Sequence, residues 1–288
     1  LSKHKEEFQR TDLVIANIEN LFTHRTAVQP RKIYNFKAPR IEYLDVLKEG
    51  GITHVNLVNN HMVDYLQAGF DDTLQYLEDY GIEYFGTNEV VTSNIELGSI
   101  MVESYSVFEK DGMKVGLLGY FGFYDTHPSD QRLQQDIHTL RHVEGVDYII
   151  ASMHWGGQNT HEVDWIQGHL GRKLIDYGVD LVYGHHPHVL QEVEIYKGKP
   201  IYHSFGNFLF INYFSVPDPD GLLLEVTLTT DKEGRVHPVF THHPIYWAGD
   251  TLRNHFMPRP MDNDAHIERT LGKLKIPTTD PMTFTEEP

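Results

Sequence analysis

The chain has no cysteine. That removes disulfides, iron–sulfur clusters and thiolate zinc sites, so any metal bound here takes nitrogen and oxygen ligands. It has no apolar run near the roughly 18 residues that a membrane-spanning helix needs, and no stretch ordered like a secretory signal. Cations are scarce: 24 Lys and Arg stand against 41 Asp and Glu, a formal net charge of −17. Nucleic acid asks for a basic footprint and is excluded as the expected partner. Adsorption on an anionic membrane surface is disfavoured for the same reason. An anionic small molecule or polymer stays open where bound cations or a local basic patch offset the background. The chain begins at Leu1 rather than Met, which leads us to expect a removed N-terminal piece that carried a targeting or anchoring segment.

What the chain does have is histidine, 19 in 288 residues. Three of them stand together in Gly184-His185-His186-Pro187-His188, directly after the apolar run Val179 to Tyr183. A buried strand that delivers three imidazoles to one loop is a plausible metal half-site, since neutral imidazole is the commonest metal ligand. The plainer reading is a solvated loop, which fits poorly behind a buried strand.

The order of patterns implies an α/β chain. Residues 2–10 read as a polar helix, Leu13–Ile18 as a strand, and Ile41–Leu47 as a helix stopping at Gly50-Gly51. A strand over Ile52–Val58, an amphipathic helix over about 67–80 and a strand over Ile82–Phe85 follow, a parallel order. Ile100–Phe108 and Met113–Tyr120 flank Lys110-Asp111-Gly112 as a hairpin, and Gln191–Tyr196 and Pro200–His203 flank Lys197-Gly198-Lys199 as a second. Between them lie helices near 129–142 and 163–177 and a strand ending at His154. Two antiparallel strands over 221–229 and 235–245 complete one domain, about residues 1–250. The Pro- and Met-rich segment 251–288 is expected as an extension packed on it or trailing from it.

Four of these elements end in polar residues at equivalent strand ends: Asn17 and Glu19, Asn60 and His61 with Asp64, His154, and His186 and His188. The crevice beyond such ends is where ligands bind in open α/β sheets. One carboxylate, one amide oxygen and three imidazoles suit Mn, Fe(II), Zn or Ni, and two-metal hydrolytic centres are built from such sets. Taken singly each has a bland alternative: Asn59-Asn60-His61 as a polar turn, Asp64 as a first-turn acid, a lone histidine as a surface group. In the loop Arg31 to Arg40, Arg31, Lys32, Lys37 and Arg40 are candidates to guide an anionic substrate, against the reading of a solvated loop. Tyr120, Phe121, Phe123 and Tyr124 are expected as core or hairpin packing.

The stretches Asp12-Leu13-Val14-Ile15-Ala16-Asn17-Ile18-Glu19, Asn59-Asn60-His61-Met62-Val63-Asp64-Tyr65, His154-Trp155-Gly156, Gly184 to Gln191 and Tyr202 to Phe208 resemble, in this order, the CapA family. That family is associated with poly-γ-glutamate capsule synthesis, and its fold is similar to calcineurin-like metallophosphoesterases. The resemblance implies a four-layer α/β/β/α sandwich with mixed sheets and two divalent metal ions. It implies Glu19 as bridging carboxylate, Asn60, His154 and His186 on one ion and His188 on the other; Asn17 and Asn207 are further candidates to contact substrate. His61, steadied by Asp64, becomes the general acid or a donor to developing charge. Two departures follow: the family's strand carrying Gly-Asp is not found from Leu1 onward, so either it lies upstream of this sequence or the chain lacks that ligand, and Gly157-Gln158 replaces the acid that usually follows His-Trp-Gly. The expected function is metal-dependent, hydrolase-type chemistry in making or handling an anionic capsule polymer, at the outer face of the cell membrane. The alternatives are a non-catalytic scaffold beside membrane synthase subunits, and a phosphoesterase acting on a phosphorylated small molecule in the cytoplasm.

Overall fold

Three short strands near the N-terminus cannot pair in parallel without crossovers, and the chain supplies them. In the computed structural model, which describes residues 1–86, 105–125, 127–210 and 218–276, α1 (Lys5–Arg10) precedes β1 (Ile15–Asn17). Then α2 (Tyr43–Gly50) leads to β2 (His54–Asn56), and α3 (Leu66–Tyr80) to β3 (Glu83–Phe85). The strands form a parallel sheet in the order β1-β2-β3.

The first expected hairpin begins at Ile100, outside the described residues. From Tyr105 onward it is present as β4 (Tyr105–Lys110) and β5 (Met113–Gly122), turning through Asp111 and Gly112 at φ 52° and 83°. Positive φ at both turn positions matches the twist of the flanking strands. Strands β6 (Tyr148–Trp155), β7 (Leu181–His185) and β9 (Lys199–Tyr202) continue from β5 in parallel, and β8 (Val193–Tyr196) closes the edge antiparallel to β9. The result is a six-stranded mixed sheet, β4-β5-β6-β7-β9-β8. A third, antiparallel sheet holds β10 (Asp220–Thr230), β11 (Val236–Tyr246) and β12 (Arg259–Pro260).

Strand periodicity sets the layers. Along β6, Ile149, Ala151 and Met153 join a core with Leu133 and Ile137 of α4 (Asp130–Thr139) and Leu170 and Leu174 of α5 (Trp165–Tyr177). Tyr148 and Ile150 face the other way, to a core shared with Phe85, Leu222 and Phe240. Beyond the first sheet, Val55 packs with Leu44, Phe70 and Leu77 of α2 and α3. The sequence of layers is therefore α/β/β/α, the arrangement the resemblance implies. Helix α5 starts on a capping box between Asp164 and Gln167 and buries Ile166, Leu170 and Leu174, one stripe at helical spacing.

The β1-β2-β3 sheet and the six-stranded sheet approach closely at Gly119 of β5, where a Cβ would stand 2.6 Å from Asn56 Oδ1 and 3.0 Å from Gly86 Cα. Asn56 Nδ2 donates across this gap to Ser152 Oγ at 3.0 Å, so the buried polar pair is satisfied. One expectation changes. Tyr120 and Phe121 are buried, but Tyr124 is 80% exposed and packs in no core. The segment after Thr251 supplies β12 and α6 (Asp264–Lys273), and Leu274 and Ile276 are buried between the sheets; residues 277–288 lie outside the described residues.

Burial holds the His54 imidazole on β2 down to a pKa of about 4. The unfolded chain takes up this proton near pH 6.5 and the folded chain only near 4. Stability is thus full above about pH 6.5 and falls towards pH 4 by up to ~1.4 kcal/mol per pH unit. We predict that the thermal midpoint of His54→Gln drops less than the parent's between about pH 7 and about pH 5. Parallel drops in the two proteins would remove His54 from the acid response.

Candidate metal centre

Parallel strands bring their C-terminal ends to one edge, and here two sheets do so face to face. Glu19 follows β1, Asn60 and His61 follow β2, His154 ends β6, and His186 and His188 follow β7. In the β6–β7 register His154 pairs with His185. The end of β7 passes through Gly184, where a Cβ would run into Trp155 Nε1 and the His203 carbonyl. Trp155 Nε1 donates to that carbonyl at 2.8 Å, so only glycine lets the backbone pass. His186 and His188 then sit at φ 98° and 59°. Such conformations cost about 1–3 kcal/mol each and gather at functional sites.

Glu19 lies between the sheets. Its Oε1 is 3.9 Å from His154 Nδ1 and its Oε2 is 3.9 Å from His188 Nε2, too long for hydrogen bonds. Asn17 Nδ2 donates to Oε1 at 2.9 Å and holds the carboxylate in that bridging position. His154 Nε2 and Asn60 Oδ1 are 3.0 Å apart, the length of a hydrogen bond and also about the spacing of two neighbouring donors on one ion at ~2.1 Å. The His154 and His186 rings are 4.8 Å apart and those of His186 and His188 6.1 Å.

The donor set fits a divalent ion on two grounds. His154 Nδ1, His186 Nδ1 and Asn17 Oδ1 are buried polar atoms without a hydrogen-bond partner, a state native proteins seldom leave unexplained. Desolvation also keeps the imidazoles neutral: His154 is pushed well below the usual histidine range, His185 to about 3 and His186 to about 4. Neutral imidazole is the ligating form. The geometry is two histidines sharing one carboxylate, not a closed trio. Among the described residues, the trio of His, Asp or Glu donor atoms lying within 4.8 Å of one another is elsewhere, at half-exposed Glu7, Glu225 and His243.

The neighbouring residues divide into those that reach the centre and those that do not. His61 Nδ1 pairs with Asp64 Oδ2 at 2.8 Å, and the Phe36 ring lies tilted by 34° against the His61 ring at 4.2 Å. Asn207 orients His188: its Oδ1 is 2.9 Å from His188 Nδ1 and its Nδ2 donates to the His188 carbonyl at 3.2 Å. Of the loop cations, Lys32 reaches Asp64 and the Asn60 carbonyl. Lys37 donates to the Arg25 carbonyl at 2.5 Å and lies over the Tyr65 ring, while Arg31 and Arg40 are exposed. Two further residues carry the geometry without having been singled out. Asn59 accepts from the His61 amide at 2.9 Å and donates to the Ile18 carbonyl at 2.6 Å, joining the two turns. Phe123 sets its edge against His186 at 5.1 Å. The doubled Asn59-Asn60 was a legible signal for the first; for Phe123 the aromatic cluster was visible but not its direction.

We predict that protein purified without added metal or chelator carries a transition metal near stoichiometry. Glu19→Ala and His154→Ala should each weaken its binding at least tenfold, since even outer partners of a metal are worth ~10–100-fold. Trace metal in the parent, with both variants matching it, would refute the site.

Compared with known proteins, residues 1–212 match the model of a bacterial capsule synthesis protein family, PGA_cap. The chain is 26% identical over 263 residues to the capsule biosynthesis protein CapA of Bacillus anthracis, covering 80% of this chain and 61% of that protein. It is 26% identical over 275 residues to the PGA biosynthesis protein CapA of Bacillus subtilis, covering 90% and 70%. It thus spans less than two thirds of the Bacillus anthracis relative. Among solved structures it is similar to the NAD nucleotidase of Haemophilus influenzae, with a TM-score of 0.48, 13% identity, and coverage of 100% of this chain and 57% of that one.

Proposed function

We propose a function from one premise: the chain belongs to the bacterial capsule synthesis protein family PGA_cap. Two relatives are named for capsule biosynthesis and PGA biosynthesis, and our reading is that this chain takes part in making or handling an anionic capsule polymer such as poly-γ-glutamate. It does so through hydrolase-type chemistry at the Glu19, Asn60, His154, His186 and His188 centre. The observation that carries this reading is Glu19, poised between two imidazoles beside buried nitrogens that have no protein partner.

Bound divalent ions would supply Lewis acidity to a phosphoryl or carbonyl oxygen and neutralise part of an anionic substrate's charge. The chain's own residues do the rest. Glu19 holds its two oxygens towards different histidines because Asn17 restrains it. Asn207 orients His188. His61 presents its second nitrogen, Nε2, for proton transfer while Nδ1 stays on Asp64. In a chain of net charge −17, the charge of bound divalent ions is what would let an anionic polymer approach this edge. We place the activity at the outer face of the cell membrane, where a capsule is laid down. Among the described residues no helix is long and apolar enough to cross a membrane.

A second reading, a scaffold subunit of a polymer synthase without turnover of its own, is favoured by Gly157-Gln158 standing where the family's acid is expected. Hydrolysis of an aryl phosphodiester and of γ-linked polyglutamate, assayed with Mn and with Zn, separates the two. Under the hydrolase reading one of these substrates is turned over, His188→Ala abolishes the metal dependence, and His61→Gln lowers the rate by about 10²–10⁴. Absence of metal-dependent turnover on both substrates would leave the scaffold.

A further inference from the structure

The loop that carries the scarce cations does not spread them around the centre. It sends one side chain inward. Lys32 Nζ lies against Asp64 Oδ1 and the Asn60 carbonyl oxygen and is 3.4 Å from His61 Nδ1. Asp64 is fully buried, and a carboxylate without water needs a charge partner and filled lone pairs. It has both: Lys32 on Oδ1, and on Oδ2 the Phe36 amide at 2.6 Å and His61 Nδ1 at 2.8 Å. The Asp64 carbonyl also accepts from the Gln29 amide at 2.9 Å. The segment from Gln29 to Phe36 is therefore held to the Asn60–Asp64 turn at three points, and Phe36 lies on the His61 ring as a fourth.

We propose that Lys32 is a positioning residue that neutralises buried Asp64 and clamps the 29–36 loop to the turn, so that His61 keeps its proton on Nδ1 and turns Nε2 to the substrate. The inference rests on the proposed function only in giving His61 a substrate to face. The reasoning is one of donors and acceptors. Asp64 Oδ2 accepts from the ring only while Nδ1 carries the proton, and a neutral imidazole has one N–H. Without the ammonium, an unpaired buried carboxylate relaxes towards solvent and releases both the ring and the loop. Lys32 is thereby occupied, which separates its role from that of a substrate anchor.

The test is nitrogen-15 imidazole NMR on metal-free protein at about pH 8, where an unperturbed imidazole is neutral, with the His61 signals identified by their loss in His61→Gln. In the parent, His61 should show a protonated Nδ1 and a bare Nε2. In Lys32→Met the two tautomers should exchange, and Lys32→Arg, which keeps the charge, should restore the single tautomer. Proteolysis within residues 24–37 should rise at least about tenfold in Lys32→Met, the weight of one charged hydrogen bond. Should Lys32→Met fail to fold, Lys32→Gln, which keeps a donor but not the charge, is expected to show the same exchange. A parent-like tautomer and cleavage rate in either variant overturns the proposal. The readouts need no turnover, so an inactive parent with the expected tautomer would sink the hydrolase reading and leave Lys32 in place.

Discussion

Desolvation of imidazoles at the end of the six-stranded sheet is the constraint on which this structure depends. Water is excluded around His154, and the rings of His154, His185 and His186 stay neutral. Each neutral ring brings one donor and one acceptor that need partners. Asn60 meets half of this need at His154, and aromatic rings of Phe121 and Phe123 fill the space around His154 and His186. The nitrogens left over point to chemistry beyond the chain itself.

The centre belongs to no single sheet. Glu19 and Asn60 ride on the three-stranded sheet, His154, His186 and His188 on the six-stranded one, and the spacing between them is set by how the sheets pack. That packing is tight because Gly119 has no side chain and because Asn56 and Ser152 complete each other's hydrogen bonds. A methyl group there has no room unless Asn56 or the Gly86 backbone moves, since packed cores deform little.

Asp64 plays the matching part on the outer side. A buried acid reached by a lysine, an amide and an imidazole converts a loop without regular structure into a fixed wall. The tips of that wall, Ile33 and Tyr34, remain exposed.

The sequence by itself determined the alternation of strands and helices, both hairpins and the convergence of Glu19, Asn60, His154, His186 and His188. All of these follow from local patterns: apolar period, Gly at turns, and polar residues at parallel strand ends. Tertiary structure alone decided which loop cation turns inward, because Arg31, Lys32, Lys37 and Arg40 share no periodicity and their reach depends on the backbone path. It also decided that Asn207 serves His188, and that Leu274 and Ile276 return to the core after a segment rich in proline and polar residues. The apolar surface that receives them exists only once the sheets have packed, and no window of sequence contains it.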